Sequence, residues 1–189
     1  WRAKQLGADR VGQSIDDRRT GVAAWLSASG YTPRYTSWVL GIAAEDLPHS
    51  AGPARPEEYD VVLGLIKQAF SEHDDRHPVD LPRWRAMTVE RDGFAPEDLL
   101  VIREDTTPVA AAFLIDADEI WVDKLAVAAS ARGRGYARDL LAAARSRAAG
   151  RGYDRVRLST DSNTSALEVY TRLGMTVERS YTHWAVDLG

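Results

Sequence analysis

Between Leu125 and Leu141 the chain reads LAVAASARGRGYARDLL. An apolar, strand-like run passes through two glycines and two arginines, with no acid in the turn, into a run with helical spacing. A helix that begins in such a turn presents unpaired N–H groups and the positive end of its dipole, which makes the turn a ready anion site. Gly133 and Gly135 let the backbone approach a phosphate without a Cβ in the way. Arg132 and Arg134 add charge, and together these features suit a pyrophosphate. The same letters also fit a plain strand-to-helix turn with solvated arginines, so the flanking segments decide between the two.

Those segments read as a complete α/β unit. PEEYDVVLGLIKQAF, from Pro56, opens with Pro and acids and repeats Val62, Leu65, Ile66 and Ala69 at helical spacing. HDDRHPVDLPRWRAMTVERDGF is a polar segment broken by prolines and anchored by Trp84. It suits either a substrate-facing helix and loop or a covering segment. LLVIRED, PVAAAFLID and EIWVDKLAV follow as three short strands. YARDLLAAARSRAAG is a helix that stops at Gly150, and YDRVRLST is the next strand. In NTSALEVYTRLG, a further helix ending at Gly174, Ser165 and Glu168 have capping-box spacing, and Tyr170 shares an inward stripe with Ala166, Leu167 and Leu173. The final MTVERSYTHWAVDL reads as two strands with a short turn. Strands and helices interleave around one mixed sheet, an α/β domain.

The chain also repeats itself. GADRVGQSID from Gly7 lies against GYDRVRLSTD from Gly152, and SGYTPRYTSWVLGI from Ser29 matches LGMTVERSYTHWAVDL from Leu173 given a gap of about two residues, both carrying Tyr-Thr-x-Trp. This pattern predicts that residues 1–47 are the back end of a first copy and residues 56–189 a complete second one. The Pro- and Gly-rich stretch at 48–55 would be the linker between them. In the first copy Leu26 aligns with Tyr170 and Arg19 with Asn163, and no phosphate turn precedes them. That copy is expected to pack Trp25, Leu26 and the YTSWVLGI strands against the second. Beginning on Trp1, the chain reads as a fragment or a processed product.

Composition narrows the chemistry. The 189 residues include no Cys, which excludes disulfides, thiolate nucleophiles and Cys-bearing zinc sites, and favours a cytoplasmic protein. The four His are scattered, and no metal site is expected. No run approaches the ~18 apolar residues of a membrane span. A net charge of −4 disfavours wholesale binding to nucleic acid. Arg132, Arg134, Arg138, Arg145, Arg147 and Arg151 do cluster, but a solvated helix face accounts for them better.

The order strand LAV, turn ARGRGYA, helix, strand VRLST, Asn163, then Tyr170 and LGM resembles the Gcn5-related N-acetyltransferase (GNAT) family. Arg132, Gly135 and Ala137 fall on that family's (Gln/Arg)-x-x-Gly-x-(Gly/Ala) loop. The tandem layout and FSEHDD and DGFAPEDLLVI look most like the mycothiol synthase-like branch, with its first domain truncated. The resemblance implies a mixed, mostly antiparallel sheet flanked by helices, preceded by a partial copy of the same unit, and acetyl-CoA as co-substrate without a metal. It also implies transfer of the acetyl group to a primary amine of a small molecule, by direct attack in a ternary complex. Leu125, Ala126 and Val127 would pair with the pantetheine arm and polarise the thioester. Arg132, Gly133, Arg134, Gly135, Tyr136, Ala137 and Arg138 would hold the pyrophosphate, and Asn163 would contact the coenzyme. Tyr170 would be the general acid, while Asp123, or failing it Glu119, would be the base, directly or through water. Trp121 and Lys124 stand where many relatives carry an acid, and Ala128 and Ala129 replace a frequent Asp-Pro turn. A catalytically weak acyl-CoA-binding domain is the alternative reading. Neither the acceptor nor the oligomeric state is written in these motifs.

Overall fold

The computed structural model describes Gln5, residues 7–72 and residues 80–188, so the stretch HDDRHPV lies outside the described residues. The chain forms two compact units, one of residues 42–158 and the other of residues 1–41 with 159–189.

In the first of these, β3 (Gly52–Pro53), β4 (Leu99–Glu104), β5 (Thr107–Asp116), β6 (Ile120–Val127) and β7 (Arg155–Asp161) are neighbours in that order. Pairing is antiparallel from β3 to β6 and parallel between β6 and β7. The apolar run of β5 from Val109 to Leu114 is buried along its whole length, as expected of a strand covered on both faces. One cover is α2 (Tyr59–Ser71), whose Val62, Leu63 and Ile66 meet Leu99, Val101, Ala111, Phe113 and Ala126. Trp84 of α3 (Leu81–Met87) completes that cluster. The other cover is α4 (Tyr136–Gly150), which packs on β4, β5 and β6 and buries Leu140, Leu141, Ala144 and Ala148 along one stripe. Asp105, with φ of 56°, makes the two-residue turn between β4 and β5, a left-handed position that Asp tolerates.

The stretch at 48–55 is not a free linker. Ala51 and Ala54 are buried, the Ala54 N–H donates to the Leu99 carbonyl at 2.7 Å, and Gly52–Pro53 forms an edge strand on β4. An edge tolerates proline because one side of the strand needs no N–H donor.

In the second unit β8 (Thr176–Asp187) is one strand of twelve residues, where a hairpin of two strands was expected. It is antiparallel to β1 (Arg10–Asp16) on one edge and to β2 (Thr32–Ala43) on the other. With a hydrogen-bonded neighbour on each side and no Gly or Pro inside it, nothing turns the strand back. These pairings also explain why the compact units do not divide at residues 47 and 56: residues 10–41 belong with β8. The match between the two copies is built into the pairing. Tyr35 faces His183, Thr36 faces Thr182 and Ser37 faces Tyr181, so the two Tyr-Thr-x-Trp segments are related by a local two-fold through the threonines. His183 bridges three strands there. Its Nδ1 meets Ser14 Oγ at 2.7 Å, its Nε2 meets Ser37 Oγ at 2.7 Å, and the Tyr35 ring stacks on it at 4.0 Å. Burial lowers the imidazole pKa, against the pull of Asp161 and Asp17. On α1 (Thr20–Ala28) Leu26 is fully buried, but Trp25, expected to pack, is 62% exposed. Adjacent helical residues lie about 100° apart, and with Leu26 turned fully inward Trp25 falls on the outer side of this helix.

Glu58, just before α2, fastens the helix start to β4. Its carboxylate accepts from Arg103 Nε at 2.8 Å and from the Arg55 N–H at 2.8 Å. The hydrogen bond from Arg103 is the main reason its pKa falls to about 2 from an ordinary 4.5. A depressed carboxyl contributes stability that is complete above the unfolded pKa and is lost as pH falls through the folded one. Glu58→Gln is therefore expected to lower the Tm at pH 7, with the gap to wild type closing between about pH 4.5 and 2 in circular-dichroism melts. A gap independent of pH would show that the charge is not what stabilises this corner.

Candidate functional site

β6 pairs with β5 from Ile120 to Val127, but its parallel pairing with β7 involves only Ile120, Trp121 and Val122. From Asp123 onward, β6 has no strand partner on that edge among the described pairings. Lys124 faces Phe113 while Val122 faces Leu114, so Asp123 is the extra residue of a β-bulge. The bulge breaks the alternation of side chains between faces. Lys124 lies on the α2 side, its Nζ 5.7 Å from the centre of the Phe70 ring, and it reaches Asp123 Oδ2 at 2.9 Å. Ala126 is in the core cluster, and Leu125 and Val127 are half-buried.

Beyond Val127 a short 3-10 turn (Ala129–Ala131) leads into the glycines. Gly133 and Gly135 have φ of 78° and 89°, and Gly135 is the N-cap of α4. A Cβ on either would meet nothing within 4 Å. It is the left-handed torsion, rather than crowding within the protein, that calls for glycine. Among the described residues no protein acceptor takes the N–H groups from Gly133 to Arg138; backbone bonding resumes with Asp139 N–H to the Gly135 carbonyl at 3.1 Å. The turn is exposed, with Tyr136 and Ala137 half-buried behind it.

Two of its arginines are already paired. Arg132 donates to Glu72 Oε1 at 2.9 Å and to the Val127 carbonyl at 3.3 Å. Arg134 donates to Glu104 Oε1 at 2.7 Å, and the Tyr136 hydroxyl donates to the same oxygen at 2.7 Å. The Tyr136 bond is the largest cause that lowers the Glu104 pKa, and the same contact raises that of the phenol. Sequence reading missed Glu72 and Glu104 because they lie far back in the chain and no spacing links them to the turn. The other arginines do not form the expected solvated face. Arg145 pairs with Glu45, Arg147 with Asp98 and Asp116, and Arg151 with Asp116. Arg138 alone of the six has no described partner. Such a neutralised set is poorly suited to a nucleic-acid backbone.

Glu119 lies just before β6, at the end remote from the turn, and is ion-paired with Arg157. Eight residues of extended chain, about 26 Å, separate it from Val127. Asp123 is on the bulge itself, beside the open edge.

The remaining candidates belong to the other compact unit. Asn163 is exposed, and its N–H donates to Asp161 Oδ1 at 3.0 Å. In α5 (Ala166–Arg172) the Ser165 side chain makes no capping bond; Thr164 Oγ1 accepts the Ala166 N–H at 3.3 Å instead. Tyr170 is half-buried by exposed area, yet burial around its hydroxyl pushes the pKa up to about 12. Solvent reaches part of the side chain, but desolvation of the oxygen is what governs its chemistry, so the phenol stays protonated at neutral pH. Among the described residues no cluster of three or more His, Asp or Glu could hold a metal, and no helix is long and apolar enough to cross a membrane.

Solved structures share this architecture. A GCN5-related N-acetyltransferase from Sphaerobacter thermophilus is 26% identical, with a TM-score of 0.77 over 94% of this chain and 59% of its own. The chain thus spans about three-fifths of that protein's length. A GCN5-related N-acetyltransferase from Kribbella flavida matches at 19% identity and a TM-score of 0.60, over 94% of this chain and 68% of its own. A tandem GNAT protein from the clavulanic acid biosynthesis pathway matches at 13% and 0.65, over 99% of this chain and 66% of its own. Below a quarter identity these likenesses concern the fold. No curated protein matches in sequence. The profile of the acetyltransferase (GNAT) family matches residues 60–175, from the start of α2 past the glycine turn to the end of α5, and this chain belongs to that family.

Proposed function

We propose that this chain is an N-acetyltransferase that moves the acetyl group of acetyl-CoA to a primary amine of a small molecule, by direct attack in a ternary complex. One observation carries the reading: an open strand edge on β6 leads, through the short turn with its glycines, to a helix N-terminus whose amide hydrogens have no protein acceptor among the described residues. The N–H groups of Gly133 to Arg138 would hold the diphosphate, with Arg132, Arg134 and Arg138 adding charge. The open edge from Leu125 to Val127 would orient the pantetheine arm by strand-like pairing, with an N–H directed at the thioester oxygen. Acetyl-CoA supplies a carbonyl carbon to which the amine nitrogen bonds as the C–S bond breaks. Asp123 takes the proton from nitrogen, directly or through water, and Tyr170 donates to the departing sulfur. Its raised pKa keeps that proton in place at neutral pH. Lacking Cys, the chain has no thiol to carry an acyl group, which favours direct transfer.

A second reading has its own support. Asp123 is tied to Lys124 and Glu119 to Arg157, so neither carboxylate is an unencumbered base. That would suit a domain that binds acyl-CoA with little or no turnover. Thiol release from acetyl-CoA across an amine panel separates the two. Under the first reading turnover depends on amine, and Tyr170→Phe lowers kcat on the order of 10²-fold with KM for acetyl-CoA nearly unchanged. Equal turnover by the variant removes Tyr170 from this role. Gly135→Ala places a side chain at φ of 89°, a strain of about 1–2 kcal/mol. The variant is expected to relax out of that torsion, and binding must then restore the turn, so calorimetry should show coenzyme A binding weakened at least about fivefold; undiminished binding would mean the turn is not the anion site.

We further propose that residues 1–47 are the tail of a first GNAT-like domain, as in tandem members of the family. The repeat supports this. Strand, helix and strand recur in both copies with two strands of equal length, the glycines at 7 and 152 and at 30 and 174 all have positive φ, and β2 and β8 pair about a local two-fold. Deleting residues 1–45 removes both strand partners of β8. The truncated protein should lose stability and solubility far more than affinity for coenzyme A; an intact fold with coenzyme binding lost would contradict the proposal.

A further inference from the structure

We infer that the Asp123–Lys124 pair on the bulge of β6 is the recognition site for the acceptor, and that the acceptor is an α-amino acid or a closely similar zwitterion. The inference rests on the proposed acetyl-transfer reading and adds the substrate class.

Position comes first. With the diphosphate at the amides of Gly133 to Arg138, the arm of the coenzyme runs back along β6 from Val127. Four residues of extended strand, about 13 Å, bring it to Asp123. The acyl end therefore lies where parallel pairing with β7 stops and the bulge begins. The groups that meet an incoming amine there are those the bulge turns to one face: an ammonium and a carboxylate on consecutive residues. In a regular strand such neighbours point to opposite faces.

Chemistry comes second. Lys124 Nζ and Asp123 Oδ2 are 2.9 Å apart, and both side chains keep about a third of their surface exposed, 29% and 33%. The ammonium and carboxylate of an α-amino acid are also about 3 Å apart, a spacing fixed by one tetrahedral carbon. Laid antiparallel to the pair, such a molecule puts its ammonium on Asp123 and its carboxylate on Lys124. Four alternating charges then close a ring without breaking the original contact. A plain amine leaves Lys124 to compete for Asp123, and a plain carboxylate leaves Asp123 unanswered. Phe70, beneath the lysine, gives that end of the site an aromatic wall. In the reaction the bound ammonium gives one proton to Asp123, and the freed amine nitrogen bonds to the acetyl carbon as the C–S bond breaks; Tyr170 gives a proton to the departing sulfur, the second proton lost from nitrogen restores it through water, and the products are an N-acetylamino acid and coenzyme A.

The test uses the whole chain and measures thiol release from acetyl-CoA with the twenty common α-amino acids, their carboxamides and their decarboxylated amines. Calorimetry of coenzyme A binding is run beside it. At least one amino acid is expected to exceed its own amide and amine in kcat/KM by about 10- to 100-fold. Lys124→Met should shrink that ratio toward one by raising KM for the amino acid, while Lys124→Arg retains it and coenzyme affinity stays unchanged in both. If coenzyme A binds but amines and amides are used as well as amino acids, the inference is overturned and the acetyl-transfer reading stands. The inference is likewise overturned if no amino acid is used, or if the preference survives Lys124→Met. Should coenzyme A not bind at all, both fall together.

Discussion

The end of parallel pairing at Val122 is the constraint on which the candidate site depends. A central strand ordinarily satisfies its backbone on both edges, and an unanswered N–H or carbonyl in a dry interior costs more than most single contacts return. β6 stays paired with β5 all the way to Val127, across one register shift at Asp123, so the strand cannot drift to close its other edge. Cores on both faces hold it in place, Ala126 on the α2 side and Val122 on the α4 side. The open edge is therefore a fixed feature of the sheet.

Charge compensation is the second theme. The turn that would receive an anion has arginines, but Arg132 and Arg134 are balanced by Glu72 and Glu104. These pairs are exposed and worth little to stability. Under the proposed function, an incoming diphosphate would take over guanidinium groups whose partners are already close by, and those acids would recover the arginines when the ligand leaves. The amides of Gly133 to Arg138 have no such partner among the described residues and, in an exposed turn, are left to water or to a ligand. Around Asp98 the balance is of another kind. That carboxylate is almost fully buried and is held by Arg147 and Arg91, so it ties α4 to the segment before β4 and leaves little charge for outside partners.

What could be read from the sequence follows the range over which each signal acts. The strands around β5, the helix at Tyr136–Gly150 and the glycine turn all appear where the residues placed them, because apolar spacing and left-handed glycines are local properties. Tyr170 was legible as an inward residue for the same reason. The readings that failed depend on partners distant in the chain. MTVERSYTHWAVDL contains polar residues that look like a turn, yet β1 and β2, more than 130 residues earlier, supply ladders on both edges and keep it straight. The packing of the stretch at 48–55 was out of reach for the same reason, since its composition is a linker's and Ala54 finds its place in the core only beside the folded β4. Glu72, Glu104 and the bulge at Asp123 were invisible for the same reason, since pairing register and ion partners are set by the sheet.

Thr36 and Thr182 show how far the internal repeat reaches into the physics of the fold. Two similar segments that pair antiparallel about a common centre meet the same neighbours from opposite directions, so a favourable cross-strand contact made once is made twice. Each centre is then held by a different copy: the Thr182 N–H donates to Asp17 Oδ1 at 3.0 Å, and the Thr36 N–H donates to Ser162 Oγ at 3.1 Å. Asp17 and Ser162 are equivalent positions, each just past the strand that precedes a helix. Symmetry breaks one residue on, where Ser37 in one copy answers His183 in the other. The imidazole there bonds two serines at once, Ser14 through Nδ1 and Ser37 through Nε2. The difference between the two segments at that position thus has a structural role, because one side chain joins β1, β2 and β8.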